Sequence, residues 1–260
     1  MEPNIEIAKL VKQSPKILPL LYTDLAQPGV RKIGIALETV FEFSTSMLLP
    51  IKLLNEKFKL NFERNLNDYK KKLEAIPEDK ICDVNPQIGT PIIEKLTYTT
   101  NEEIADLFTS LLTKASNTDT VNQAHPSFVQ LIERLSVDEA RIIKFLKGEN
   151  AIPSISLRGY LKDGKGLNLI KKNVTMLHFN INLIFPNNIE TYLDNLCCLG
   201  ILSINHGFTL SDDEIYKPLL ISYEYERLSE IYLSRGYEKF DYTKSFYQIT
   251  NYGLLFINAV

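Results

Sequence analysis

The sequence predicts an α+β protein that is mainly α: an N-terminal helical hairpin or bundle over residues 1–135, then a winged-helix-like α+β module over 136–260 with an insertion between its wing strands. Two observations predict it. Apolar residues recur every three or four positions through the first half, the period of helices with one buried face. Beyond Gly148 the period falls toward two, and the elements run helix, strand, helix, strand, strand.

Val30, Ile33, Leu37, Val40 or Phe41, Ser44 and Met47 or Leu48 form one helical stripe, which Pro50 kinks or ends. Leu54, Phe58, Phe62, Leu66, Tyr69 and Leu73 form a second, on a long helix that stops before Pro77. These two are expected to pack as a hairpin or bent rod. Residues 77–91, rich in Pro, Asp and Asn, read as a connector. Thr100 and Glu103 fit a capping box for the next helix, whose buried face is Ile104, Leu107, Phe108, Leu111, Leu112 and Ala115. His125-Pro126 opens another helix, with Phe128, Val129, Ile132 and Leu135 pointing inward. Ser136 and Glu139 repeat the capping-box pattern ahead of Ala140, Ile143 and Leu146, and Gly148 supplies a stop.

Residues 152–157 then read as a short strand. Leu177, Phe179, Ile181, Leu183 and Phe185 alternate as in a half-buried strand. Residues 188–199 return to helix, 201–204 form a brief strand, and 218–234 form a helix with Gly236 just past it. A strand over 245–250 and a helix over 252–259 close the chain.

Composition excludes disorder and fibrous classes: 45% of the 260 residues are hydrophobic and 23% charged. With 29 basic and 32 acidic residues, the net charge of −3 lacks the positive excess usual in nucleic-acid binders. The N-terminus has no uninterrupted signal-peptide core, and the apolar stretch over 30–54 is interrupted by Glu38 and Glu42, so a cytoplasmic protein is expected. Cys82, Cys197 and Cys198 are odd in number and form no CxxC, which reads as reduced thiols. With His125, His178 and His206 scattered, no metal site and no cofactor is expected.

Residues 52–72 hold seven basic and three acidic side chains. A solvated helix face is the simpler reading; contact of Lys57, Lys59, Arg64, Lys70, Lys71 and Lys72 with an anionic surface, a membrane included, is the alternative. Gly159 to Lys165 satisfies GxxxxGK, but Gly166 replaces the magnesium-binding hydroxyl and a strand pattern follows, so a turn with Asp163-Gly164 at its tip is expected. There is no GxSxG and no HExxH. His125 reads as a turn or capping residue before it reads as a general base. The helix NNIETYLDNLCCL carries Glu190 and Asp194 and no Lys or Arg, so sequence-specific nucleic acid is not an expected partner. Eight tyrosines after residue 215 suit core packing or a protein interface.

Several segments together resemble a known bacterial family, abortive infection alpha. They are Ala105-Asp-Leu-Phe-Thr-Ser-Leu-Leu-Thr113, Gln123-Ala-His-Pro-Ser-Phe-Val129 and Leu135-Ser-Val-Asp-Glu-Ala140, with outer support from Leu25-Ala-Gln-Pro28, residues 49–57, 76–81, Leu196-Cys-Cys-Leu-Gly-Ile201 and Ile249-Thr-Asn-Tyr-Gly-Leu-Leu-Phe256. His125, Pro126 and Phe128 lie in the most specific of these. Val137 departs from the pattern, in which proline follows the serine. The resemblance implies phage defence by abortive infection, with no catalytic residues to carry over. A non-enzymatic protein contacting a host or phage component is therefore the expected class, self-association remaining open. A DNA-binding regulator and an enzyme with dispersed catalytic residues are the alternatives.

Overall fold

A computed structural model describes residues 28–44, 55–149, 151–205 and 207–260. Met47, Leu48, Pro50, Lys52, Leu54 and His206 lie outside the described residues, as do the side chains of Val30, Phe41 and Ser44. The fold is mainly helical α+β with a four-stranded antiparallel sheet. The chain divides into two compact units, residues up to Leu135 with Asn258–Val260, and Ser136–Ile257.

The first unit holds α1 (Pro28–Ser44), α2 (Glu56–Glu74), α3 (Pro86–Leu96), α4 (Glu102–Ala115) and α5 (Ser127–Glu133). α1 packs on α2 and α3, and α2 on α4. The stripes dictate this, because Ile33, Leu37 and Val40 on α1 and Phe62, Tyr69 and Leu73 on α2 are all buried. Phe58 and Leu66 are half-buried. Lys32, near the start of α1, donates to the Leu73 and Glu74 carbonyls, both at 3.2 Å, and to Ile76, so α1 and α2 run antiparallel and a cation meets the negative end of the α2 dipole. Gly89 lets α3 cross α1 closely: a Cβ there would sit 2.2 Å from Val40 Cγ2.

The connector over 77–91 is shorter than the composition suggests. Asn85 caps α3 by accepting from the Gln87 N–H at 2.9 Å, and Pro86 takes the first helical position, where no donor is needed. α4 starts one residue later than expected, on Asn101 rather than Thr100, with the Asn101 side chain accepting from Ile104 N–H at 3.1 Å. A carboxamide oxygen at the cap does what the box was to do.

The second unit runs α6 (Val137–Leu146), β1 (Ala151–Tyr160), β2 (Leu167–Val174), α7 (Leu177–Asn180), α8 (Ile189–Cys198), β3 (Leu202–Asn205), α9 (Lys217–Ser222), α10 (Tyr225–Ser234), β4 (Lys239–Ile249) and α11 (Asn251–Ala259) as far as Ile257. The strand order is β2-β1-β4-β3, antiparallel throughout. One face sets Ile155, Leu157, Val174 and Phe240 against Tyr216 and Leu219, with Tyr225, Tyr232 and Tyr242 around them. Core packing thus occupies most of the late tyrosines. A Cβ on Gly159 would meet the Tyr237 ring at 2.7 Å, so a larger residue there displaces the ring that lies on β1.

Two expectations fail here. The alternating segment 177–185 is no strand: α7 is one helical turn, Phe179 and Phe185 are exposed, and the Ile184 and Phe185 N–H groups donate to the Asp138 carboxylate instead of to a neighbouring strand. The helix over 218–234 breaks into α9 and α10 at Glu224, which adopts φ +48°, while the Tyr223 hydroxyl donates to the Thr175 carbonyl at 3.0 Å. That bond ties the break between the two helices to the residue that follows β2.

Candidate functional site

His125 is exposed at the start of α5. Its Nδ1 lies 2.7 Å from Ser127 Oγ and accepts from the Ser127 N–H at 3.2 Å, while its carbonyl accepts from Phe128 N–H at 3.0 Å. The imidazole therefore serves one of the orphan donors of the helix start. Phe128 is wholly buried, its ring 5.6 Å from the imidazole, and Pro126 holds φ −55° ahead of the first turn. The three residues form one local device: a cap, a stiff entry and a core anchor.

A buried polar cluster lies where the sequence pattern indicates only a cap. Ser136 and Glu139 form the expected capping box, the Ser136 N–H donating to Glu139 at 2.6 Å. Glu139 also accepts from Asn195 of α8 at 2.7 Å. Its neighbour Asp138 accepts from the Ile184 N–H at 2.7 Å, the Phe185 N–H at 2.8 Å and the Tyr192 hydroxyl at 2.9 Å. Burial pushes the Asp138 carboxyl up, but these donors and the Arg141 guanidinium outweigh it and hold the group below the usual carboxylate range. An ionised acid with its lone pairs filled is an anchor for α8. The Asp-Glu pair two and three residues after a capping Ser was the available sequence signal.

Two further segments of the resemblance, fifty residues apart, meet. Thr250 Oγ1 donates to the Gly200 carbonyl at 2.6 Å and accepts from the Gly253 N–H at 2.8 Å, capping α11. The Thr250 N–H donates to the Ile201 carbonyl at 3.1 Å, and a Cβ on Gly253 would lie 2.1 Å from that oxygen. Only glycine fits. Gly200, at φ +74°, closes α8 in the left-handed region glycine tolerates.

The six cations of α2 separate into two groups. Arg64 donates to the Thr99 and Thr100 carbonyls at 3.1 and 3.0 Å, and Lys72 bridges Asp68 and Asp106 at 3.1 and 2.7 Å. Burial pushes Asp68 up, yet hydrogen bonds from Thr109 and Lys72 bring it below its ordinary value. Lys57 and Lys71 are exposed, in line with the exposed Leu60; Lys59 and Lys70 are half-buried. Between the charged rows the buried Asn65 donates to the Leu96 and Thr99 carbonyls at 2.8 and 3.0 Å, which finishes the end of α3.

Burial, then Asp194 and Cys198, push the Cys197 thiol up to about 11, and burial with Asp83 raises Cys82, so neither is poised as a thiolate. The His178 ring lies 4.0 Å from that of Phe179, tilted by 41°, and burial followed by the Lys171 charge lowers its pKa. Gly164 and Gly166 lie in the turn joining β1 to β2; a strand follows, not a helix N-terminus that could face phosphate. Among the described residues no group of three or more His, Cys, Asp or Glu gathers to hold a metal, and no helix is long and apolar enough to cross a membrane.

No curated protein and no solved structure matches the chain. The family described as abortive infection alpha matches residues 61–260, the span that contains the capped α5 and α6 starts, the buried acid pair and the Gly200–Thr250 junction. With more than half of its length matched, the chain belongs to the abortive infection alpha family.

Proposed function

We propose that the protein is a bacterial, cytoplasmic anti-phage defence protein of the abortive-infection type, acting by contact with a host or phage component. Membership of the family over residues 61–260 carries this reading. It is supported by the use to which the motif residues are put: His125, Ser136, Asp138, Glu139, Thr250 and Gly253 are occupied in caps, anchors and close approaches. The test is expression in a phage-sensitive host, scoring plaques beside survival of infected cells. His125→Ala, His178→Ala and His206→Ala, made singly, are expected to retain restriction. Loss in any one, with normal expression and melting, moves the reading to catalysis.

A winged-helix-like reading of the second unit has one observation in its favour. α6, β1, α8, β3 and β4 follow in the helix-strand-helix-strand-strand order with β4 between β1 and β3, the β2 hairpin strand and α9–α10 being additions. The helix in the reading position is α8, which exposes Glu190 and Asp194 and contains no Lys or Arg. Phosphate contact by that surface is unfavourable, so this unit is read as a protein-contact module rather than a DNA reader. Sequence-specific, submicromolar DNA binding at physiological salt reverses that order.

A further inference from the structure

β2 is an outer strand, and among the described residues no strand pairs with its outer edge. Its first half is open on the sides as well: Leu167 is 46% exposed and Leu169 49%. They pair with Tyr160 and Arg158 of β1, so both leucines stand on one sheet face, beside half-buried Tyr160 and Arg158. Folded chains usually blunt such an edge with bulges, or with charge that repels a like-charged strand. Here the two register shifts of the β1–β2 ladder lie between Ile155 and Arg158, which leaves Leu167–Leu169 regularly paired with β1 and its outer edge without a strand partner among the described residues.

Charge marks this edge too. From β1 through β2, residues 151–174 hold five basic side chains (Arg158, Lys162, Lys165, Lys171 and Lys172) against one acidic, Asp163, in a chain whose net charge is −3. Lys162, Lys165, Lys171 and Lys172 are exposed. Asp241, the acid across from Arg158 on β4, is already paired with Lys239.

We propose that the outer edge of β2 at Leu167–Leu169 takes an extended, acidic segment of a protein partner as an added strand, its apolar side chains laid beside the two leucines and its carboxylates beside the hairpin lysines. A bilayer suits the edge less well, because unpaired backbone N–H and C=O groups find no partner in hydrocarbon. A protein strand supplies them. The inference rests on the reading of this chain as one that works by contact, and names a surface for that contact.

The experiment uses the full chain with two synthetic octapeptides, one of alternating Val and Glu and one of alternating Val and Lys. Hydrogen exchange at β2 amides is expected to slow at least about tenfold with the Val-Glu peptide and to stay unchanged with the Val-Lys peptide. The double variant Lys162→Glu/Lys172→Glu, altering exposed side chains, is expected to keep its unfolding midpoint and to weaken peptide binding by about tenfold or more. No slowing by the Val-Glu peptide, equal slowing by both peptides, or variant-sensitive binding to phosphatidylglycerol vesicles or duplex DNA without strand protection each overturns the proposal. In the plaque assay, loss of restriction in the double variant supports the surface. Restriction kept by that variant overturns the surface and leaves the defence reading standing, whereas a wild-type chain that restricts no phage overturns the defence reading alone.

Discussion

The Tyr192 hydroxyl donates to Asp138 at 2.9 Å, and the same carboxylate takes the backbone N–H groups of Ile184 and Phe185. One side chain of α6 thus holds both the loop before α8 and the helix itself. Asp138→Ala strands three donors, the buried Tyr192 hydroxyl and two part-buried backbone N–H groups, and is expected to cost about 2–3 kcal/mol at neutral pH, read from chemical denaturation.

The same contact sets an acid limit. Because the native carboxyl is held below its ordinary value, the unfolded chain takes up a proton at higher pH than the native one. The stabilisation is present above the ordinary carboxylate pKa of about 4 and drains away as pH falls through that value toward the lowered one. Asp138→Asn, which carries no titration, is expected to flatten this part of the stability profile between about pH 5 and pH 2. An unchanged acid slope removes the assignment.

Val137 offers a gain. It is the first residue of α6, whose N–H has no helical partner, and Ser136 before it sits at φ −76° and ψ 168°, which a following proline permits. Val137→Pro is expected to stabilise by about 0.4–1 kcal/mol through the unfolded state, with Ser136→Ala costing about 1 kcal/mol in the same assay.

How far the sequence could be read is clearest around these residues. The box of Ser136 and Glu139 was legible because capping is local: donor and acceptor sit three residues apart and the chain dictates their meeting. Asp138 was not, since its acceptor role depends on a loop 46 residues away. The same distance effect explains segment 177–185. Its alternation satisfies a strand pattern, but a carboxylate from α6 claims the two N–H groups a strand partner would have needed. The break in the expected 218–234 helix likewise coincides with a long-range hydrogen bond, from Tyr223 to Thr175. Helix faces in the first unit were legible because period alone decides which side is buried.

The cations of α2 are expected to respond unequally. Arg64→Ala removes donors from the Thr99 and Thr100 carbonyls, and Lys72→Ala removes the bridge between Asp68 and Asp106; each is expected to cost about 1 kcal/mol, since these contacts are only partly buried. Lys57→Glu and Lys71→Glu lie on the exposed row and are expected to leave the unfolding midpoint unchanged within about 0.5 kcal/mol. Equal losses at all four positions contradict the division.

Phe62 and Phe58 separate burial in the α1–α2 hairpin from docking on lipid. Phe62 is 1% exposed, so Phe62→Ala is expected to cost about 3–5 kcal/mol through lost transfer energy and a cavity. Phe58, one turn earlier and half-buried, has less apolar surface to lose and is expected to cost about 1–2 kcal/mol. If the stripe instead served an anionic bilayer, both variants would keep their stability and lose sedimentation with vesicles. The hairpin outcome is expected because Lys32 ties the start of α1 to the end of α2 and Phe62, Tyr69 and Leu73 are already withdrawn from solvent, leaving Leu60 as the large apolar side chain that α2 shows to water. Denaturation and vesicle co-sedimentation of the same two variants decide it: a stability loss at Phe62 larger than at Phe58, with sedimentation unaltered, is the result that a packed hairpin requires.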